Sequence, residues 1–324
     1  MRHPMRQPVR VWIPRLLGLA LLVFFLARVG LEETNRVIRK ADVVPLLLAV
    51  SGNALLILVK TRRWQVILGS QSVPSRTWPA FLAYFSSLFV GLLTPGRLGE
   101  FVRAAYVVHE AGAPPGLALS GVLADRLFDL YALLLVGGLA VFTVTGAAAG
   151  PALLMTTGLL TLPLGLLLRD AAFGRLQGLG LRLGRLGQRF FAEQGPLAAM
   201  RLGLRCLSLR HLLLSAGLTV LAYVIYFGQA YLLAWALDLG LGPLTVSAAV
   251  ALGSLVALVP VSIAGLGTRE AAIITYLGSV GVPAESALAF SLLVFLTFHV
   301  GGALLGAVAW WLRPVPFGGP MTRG

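Results

Sequence analysis

Residues 94–103, Thr-Pro-Gly-Arg-Leu-Gly-Glu-Phe-Val-Arg, put three charged side chains directly behind an apolar run, 81–93. The Pro-Gly pair ends any regular helix there, because proline lacks a backbone donor and its ring clashes with the preceding turn. A second stretch of the same kind, Pro-Val-Ser-Ile-Ala-Gly-Leu-Gly-Thr-Arg-Glu, occupies 260–270. Both lie in a chain that is 58% hydrophobic and only 12% charged, with a mean hydropathy of +0.88. Soluble domains are about one-quarter charged, so one soluble core could not bury this much apolar surface. The chain reads as an all-α polytopic membrane protein, in one membrane domain spanning 1–324. Its length leaves room for roughly six to eight segments of about 20 residues. Charged, broken backbone in such a chain must be buried in protein or line a cavity.

The net charge of +14 is carried by 24 arginines and 2 lysines. These cluster beside apolar runs, as topology signals and contacts to anionic lipid headgroups do, and no soluble nucleic-acid module accompanies them. No nucleic-acid partner is expected. Cys206 is the sole cysteine, and His3, His109, His211 and His299 are scattered. No thiolate cluster can form, no metal-ligand spacing is visible, and no cofactor is expected. His299, inside the last apolar run, reads as a helix-contact histidine before a proton relay.

In chain order, a basic tail of 1–15 leads into a first span at about 11–29, read as an uncleaved helix. A mixed-charge loop follows, then a second span at about 43–59 with Asn53 near its middle. Lys60, Arg62 and Arg63 are expected to end it, with Trp64 at interface level. The arms 81–93 and 101–108 are too short for comfortable crossings and read as a re-entrant hairpin. After a turn at 112–116 comes a long span, 117–145, in which Asp125 and Asp129 share one helix face. A span at 152–168 precedes an Arg-rich segment, 169–210, with eight arginines. There Leu176, Leu179, Leu183, Leu186 and Phe190 recur at helical spacing, largely opposite Arg175, Arg182, Arg185 and Arg189. That is the pattern of an amphipathic helix in the headgroup region, with anionic lipid as its partner. A span at 212–237, a second hairpin with arms 244–259 and 271–277, and a last span at 286–312 complete the chain. Gly302 and Gly306 give that span a face for close helix contact.

The two focal stretches share an order of parts: apolar run, proline, two glycines near an Arg and a Glu, a short apolar arm, and a Gly-x-Pro turn. Three spans separate the hairpins, so they enter from opposite faces. The expected fold is six full spans plus two re-entrant hairpins, eight membrane segments in an inverted repeat, with repeat one at about 43–145 and repeat two at about 212–312. One face would carry Arg2, Arg6, Arg10, Arg15, Lys60, Arg62, Arg63, Arg76, the eight arginines of 169–210, Arg313 and Arg323. The other would carry Arg28, Arg36, Arg39 and Lys40. Positive charge favours the cytoplasm, which puts both termini there, in a multi-pass protein of the cell membrane.

Arg97, Glu100, Arg103, Asp125, Arg126, Asp129, Arg269 and Glu270 would then form an intramembrane cluster of four cations and four anions. Two readings are open: salt bridges that lock broken helices, or a polar site for a charged headgroup. Both can hold, with Asp125 and Asp129 locking while Arg97 and Arg269 meet a phosphate, for which the planar guanidinium fork is suited.

At these residues the chain resembles the lysylphosphatidylglycerol synthase transmembrane region, also called the flippase-like domain. The resemblance rests on Pro95-Gly96-Arg97-Leu98-Gly99-Glu100 with Arg103, on Asp125-Arg126-x-x-Asp129, and on Gly265-Leu266-Gly267-Thr268-Arg269-Glu270. Asn53 and Arg63-Trp64 fit its N-terminal pattern, and it extends from about residue 15 to 312. The resemblance implies lipid handling and adds Asn53 to the substrate-binding set. In longer members a soluble C-terminal domain makes an aminoacylated phospholipid that this domain moves between leaflets. The chain ends at Gly324, so lysyl transfer is not expected. The leading expectation is a non-enzymatic, flippase-like transporter of a phospholipid or polyprenyl-linked lipid. No Walker-type nucleotide loop occurs. The alternatives are an integral-membrane lipid-phosphate transferase, with Asp125 or Asp129 as base or metal ligand, and a non-catalytic scaffold subunit.

Overall fold

The computed structural model describes residues 31–145, 150–182, 190–192, 195–257 and 265–314. The expected first span, the residues Pro260 to Ala264, and Leu183, Arg185, Leu186 and Arg189 lie outside the described residues. Among those described, the chain is helical and no strand occurs.

The helices are α1 (Leu31–Arg39), α2 (Val43–Ser70), α3 (Thr77–Leu93), α4 (Arg103–Ala111), α5 (Pro115–Thr145), α6 (Gly150–Leu168) and α7 (Asp170–Leu181). They continue with α8 (Pro196–Arg205), α9 (Leu209–Ala236), α10 (Pro243–Val256), α11 (Thr268–Ser279), α12 (Ala284–Val294) and α13 (Gly302–Leu312). A 3-10 segment, Pro95–Val102, joins α3 to α4. A π-helical segment, Phe295–Gly301, makes α12 and α13 one continuous rod. Among the described residues, three helices are long and apolar enough to cross a membrane: Val43–Ser70, Leu209–Ala236 and Ala284–Leu312.

The molecule is apolar outside and charged inside. Leu135, Leu304, Val220, Val224 and Trp311 are all more than half exposed. Arg63, Arg103, Arg269, Asp125 and Glu270 are buried to 1% exposure or less. Water would penalise both halves of that distribution, whereas lipid accepts the first and a packed bundle the second.

α2 runs eleven residues beyond the expected end of its span, to Ser70. The continuation is driven by Trp64, Ile67 and Leu68, which recur at helical spacing and are buried to 1% exposure or less. Trp64 is therefore not an interface anchor. Lys60 and Arg63 belong to the interior of the bundle rather than to the end of the span.

α2 packs along α9, α3 against α13, and α10 against α5, while α4 lies on α5 and α11 on α12. The start of α2 is tied to the end of α9, where the Asp42 N–H donates to the Ala236 carbonyl at 2.8 Å. Both ends of the α3–α4 unit are tied to other elements. Arg62 Nη1 donates to Thr77 Oγ1 at 2.8 Å, Tyr106 Oη donates to the Arg313 carbonyl at 2.8 Å, and Arg313 pairs with Glu110. At the ends of the α10–α11 unit, Leu239, Leu277 and Val282 pack in one cluster with Val37 and Ile38 of α1.

In the Arg-rich region, Arg201 and Arg205 of α8 cap the end of α6 on the Leu168 carbonyl, at 3.3 and 2.9 Å. They also hold Asp170, at 2.5 and 3.1 Å, and these hydrogen bonds lower its carboxyl pKa. The contact is complete above the ordinary aspartate range and weakens only as pH falls through the depressed value. Leu176, Leu179 and Phe190 are exposed, as a lipid-facing stripe requires.

The small-residue face on α13 is tightest at Gly306, where a Cβ would sit 2.3 Å from the Phe85 carbonyl oxygen of α3. At Gly302 the nearest neighbour, Leu88 Cδ1, would be 3.6 Å away. Gly306→Leu should therefore lower stability by about 1–3 kcal/mol or more. Gly302→Ala should lie within about 0.5 kcal/mol of wild type. Thermal unfolding in detergent reads the difference, and equal melting of the two variants would contradict the packing.

Candidate functional site: a charged cleft inside the bundle

The site is built around Arg63 of α2. Its Nε donates to Asp125 Oδ1 at 2.7 Å, and its Nη1 lies 2.9 Å from Asp129 Oδ1 and 3.0 Å from Thr219 Oγ1 of α9. Asp125 and Asp129 are one turn apart on α5, so a single guanidinium reaches both. Asp125 Oδ2 also accepts from Arg103 Nη2 at 2.7 Å and from Tyr84 Oη at 3.0 Å. Arg103 lies over the Tyr84 and Trp64 rings, at 4.3 and 5.2 Å. Asp129 Oδ2 takes Lys60 Nζ at 3.0 Å, and Arg126 pairs with Glu100 of the 3-10 segment.

The break at Thr94 is held locally. Thr94 Oγ1 accepts the Gly99 N–H at 2.6 Å and lies 3.1 Å from the Val90 carbonyl, to which it donates. That turn directs Glu100 back toward α5. The second stretch uses a different device. Gly265 and Gly267 adopt φ of +78° and +83°, a region that disfavours side chains. Glu270 Oε2 then accepts the Gly267 N–H at 2.5 Å at the start of α11. Glu270 Oε1 takes Arg269 Nη2 at 2.6 Å and lies 3.4 Å from Ser291 Oγ.

A cavity of about 300 Å³ lies between these elements. Its polar wall comprises Asn53, Lys60, Tyr84, Arg126, Asp129, Tyr223, Tyr226, Ser254, Arg269 and His299, and its apolar wall includes Leu88, Phe101, Leu130, Leu133 and Phe298. The expected site residues thus divide. Arg126, Asp129, Arg269 and Asn53 face the cavity; Glu100 and Glu270 stand behind it and hold Arg126 and Arg269, while Arg103 and Asp125 pair with each other deeper in the bundle. Asn53 is committed at both ends, with Nδ2 donating to the Thr297 carbonyl at 2.7 Å and Oδ1 lying 3.3 Å from Gln229 Nε2. It fixes the π-helical segment, whose wider turn places Phe298 and His299 on the cavity wall. Arg97 lies in the 3-10 segment, and its side chain is outside the described residues. Among the described residues no three His, Cys, Asp or Glu side chains converge as a metal site would need.

Lys60 and Arg63 belong to the candidate site, although the apolar-run reading put them at the end of the second span. Their signal was position: Asn53, Lys60 and Arg63 lie on one helical stripe, two turns and then one turn apart.

The charges do not cancel. Among the described residues around α5, Lys60, Arg63, Arg103 and Arg126 pair with Glu100, Asp125 and Asp129, while Arg269 pairs with Glu270. The described network carries one cation more than it has anions.

Fold and site together define an integral membrane domain of helices around a buried ionic cleft. The sequence model of the family described as lysylphosphatidylglycerol synthase TM region matches residues 11–306, and the chain belongs to that family. No curated protein matches the chain.

Asp125 compensates two arginines that have no exposure, so Asp125→Ala should cost about 3–5 kcal/mol of stability. Ser291→Ala removes only a 3.4 Å contact to Glu270 and should cost about 1 kcal/mol or less. Chemical denaturation in detergent orders the pair, and equal stabilities would show that the Asp125 network is not a structural lock.

Proposed function

We propose that this protein is a flippase-like transporter that passes the phosphate headgroup of a membrane lipid through the cleft while its tails stay in lipid. The observation that carries this reading is the cavity wall, where Lys60, Arg126 and Arg269 face a single carboxylate, Asp129, amid aromatic and leucine side chains. Cations set in a low-dielectric wall are stabilised by an anion more strongly than they would be in water. The membership of a membrane lipid-handling family supports the same class of substrate. The domain acts without catalysing a reaction.

The proposed topology is six full spans and two re-entrant hairpins in an inverted repeat. Exchanging α2–α5 for α9–α13 turns the α3–α13 packing into the α10–α5 packing, and the α4–α5 packing into the α11–α12 packing. The α3–α4 unit begins and ends beside Arg62 and Arg313, and the α10–α11 unit beside α1. Each returns to its own face, and the two faces differ. Arg76, the described arginines of 169–210 and Arg313 are assigned to one face, which is read as cytoplasmic even with Lys60 and Arg63 removed from that tally. Exposed Arg175 and Arg182 beside Leu176 and Leu179 would meet anionic headgroups there.

Cys206, half-buried and unique, reports orientation without mutagenesis. A membrane-impermeant maleimide should label it only after permeabilisation of intact cells; labelling without permeabilisation would invert the topology. For transport, liposomes with fluorescent phospholipid should show translocation that Arg269→Ala slows by roughly tenfold or more, the scale of one lost charge-assisted hydrogen bond. Equal rates at equal folded protein would remove the transporter reading.

A further inference from the structure

Resting on the transport reading, we infer that the cleft selects a net-anionic phosphate headgroup with no ammonium group, and discriminates against aminoacylated and zwitterionic lipids. The inference comes from which groups around the cavity are already committed. A headgroup amine needs a carboxylate or a cluster of carbonyl oxygens to replace its hydration. Asp129, the one carboxylate on the wall, is held by Lys60 at 3.0 Å and by Arg63 at 2.9 Å. Asp125 is filled by Arg63, Arg103 and Tyr84, Glu100 by Arg126, and Glu270 by Arg269 and the Gly267 N–H. Each of these carboxylates is thus already paired with a cation.

The donors are not all engaged. Arg269 is 1% exposed and lines the cavity, yet its Nε and Nη1 have no hydrogen-bond partner among the described residues. Its guanidinium is held 4.7 Å from the Phe295 ring centroid and at 2.6 Å from Glu270 by the remaining nitrogen. The Nε–H and Nη1–H groups lie on different edges of the guanidinium, so each can donate singly to an anionic oxygen. Lys60 and Arg126 line the same cavity. A monoanionic phosphate also brings the excess cation of the described network to neutrality. A zwitterionic headgroup would leave that charge in place, and an aminoacylated one would add to it, at Coulomb costs that grow in a low-dielectric site.

The test uses purified full-length protein in detergent and four ligands followed by titration calorimetry. These are dioctanoyl phosphatidylglycerol (net anionic), dioctanoyl phosphatidylethanolamine (zwitterionic), dioctanoyl lysyl-phosphatidylglycerol (cationic) and sn-glycerol 3-phosphate, which supplies phosphate without tails. The anionic lipid should bind about tenfold or more tighter than the other two lipids. Because Arg269→Gln alone strands Glu270, the double variant Arg269→Gln/Glu270→Gln is measured beside it. It keeps the pair neutral and similar in shape, and should fold yet lose about tenfold or more in anionic-lipid affinity. Equal or tighter binding of the zwitterionic or lysyl lipid would overturn the selectivity while leaving lipid transport standing. So would wild-type affinity in the folded double variant. Glycerol phosphate binding as tightly as the anionic lipid would keep the phosphate site but overturn the lipid reading. Failure of all four ligands to bind folded wild-type protein would sink both.

Discussion

The interior of this protein depends on one guanidinium satisfied by two carboxylates. Arg63 has no exposure, and moving an ion into such a place costs several kcal/mol even after relaxation. Asp125, Asp129 and Thr219 offset that cost, and they bring three long helices, α2, α5 and α9, to one point. Because Asp125 also takes Arg103 and Tyr84, the same carboxylate docks α3 and α4 onto those helices. In lipid there is no hydrophobic force to press helices together, so pairs of this kind and close small-residue contacts carry a larger share of specificity. The Gly306–Phe85 approach is the second kind of contact.

Holding the bundle and meeting a ligand fall to different members of one network. Asp125, Arg103, Glu100 and Glu270 are buried behind the wall. Lys60, Arg126, Asp129 and Arg269 face the cavity, each fixed by an ion pair. Fixed donors lose little rotamer freedom when a ligand arrives, which favours binding an anion over rearranging to meet one. The π-helical segment serves the same end. Asn53 secures its Thr297 carbonyl, and the wide turn sets Phe298 and His299 beside the charges.

The two broken stretches reach similar ends by different local means. The first bends through a 3-10 segment capped by a threonine hydroxyl, and the second uses two left-handed glycines and a glutamate on the helix start. This difference explains why their sequence similarity is weak while their order of parts agrees. The chemistry each must deliver, an Arg–Glu pair close to a cavity, constrains the fold more than the turn that delivers it.

Much was legible in the residues alone. Apolar runs located the helices, the Pro-Gly and Gly-x-Gly breaks located the interruptions, and the one-turn spacing of Asp125 and Asp129 placed both on the interior face of α5. Those properties follow from backbone sterics and helical period, which are local. The end of α2 was not legible, because Lys60 and Arg63 look like a helix boundary until their counter-ions on α5, more than sixty positions away, are in place. Which carboxylates remained for a ligand was equally hidden. Composition determined that the chain must keep charges away from lipid; only tertiary pairing decided that the acids would be paired with cations and the guanidinium nitrogens of Arg269 left over, since pairing depends on depth and angle across helices and not on sequence order.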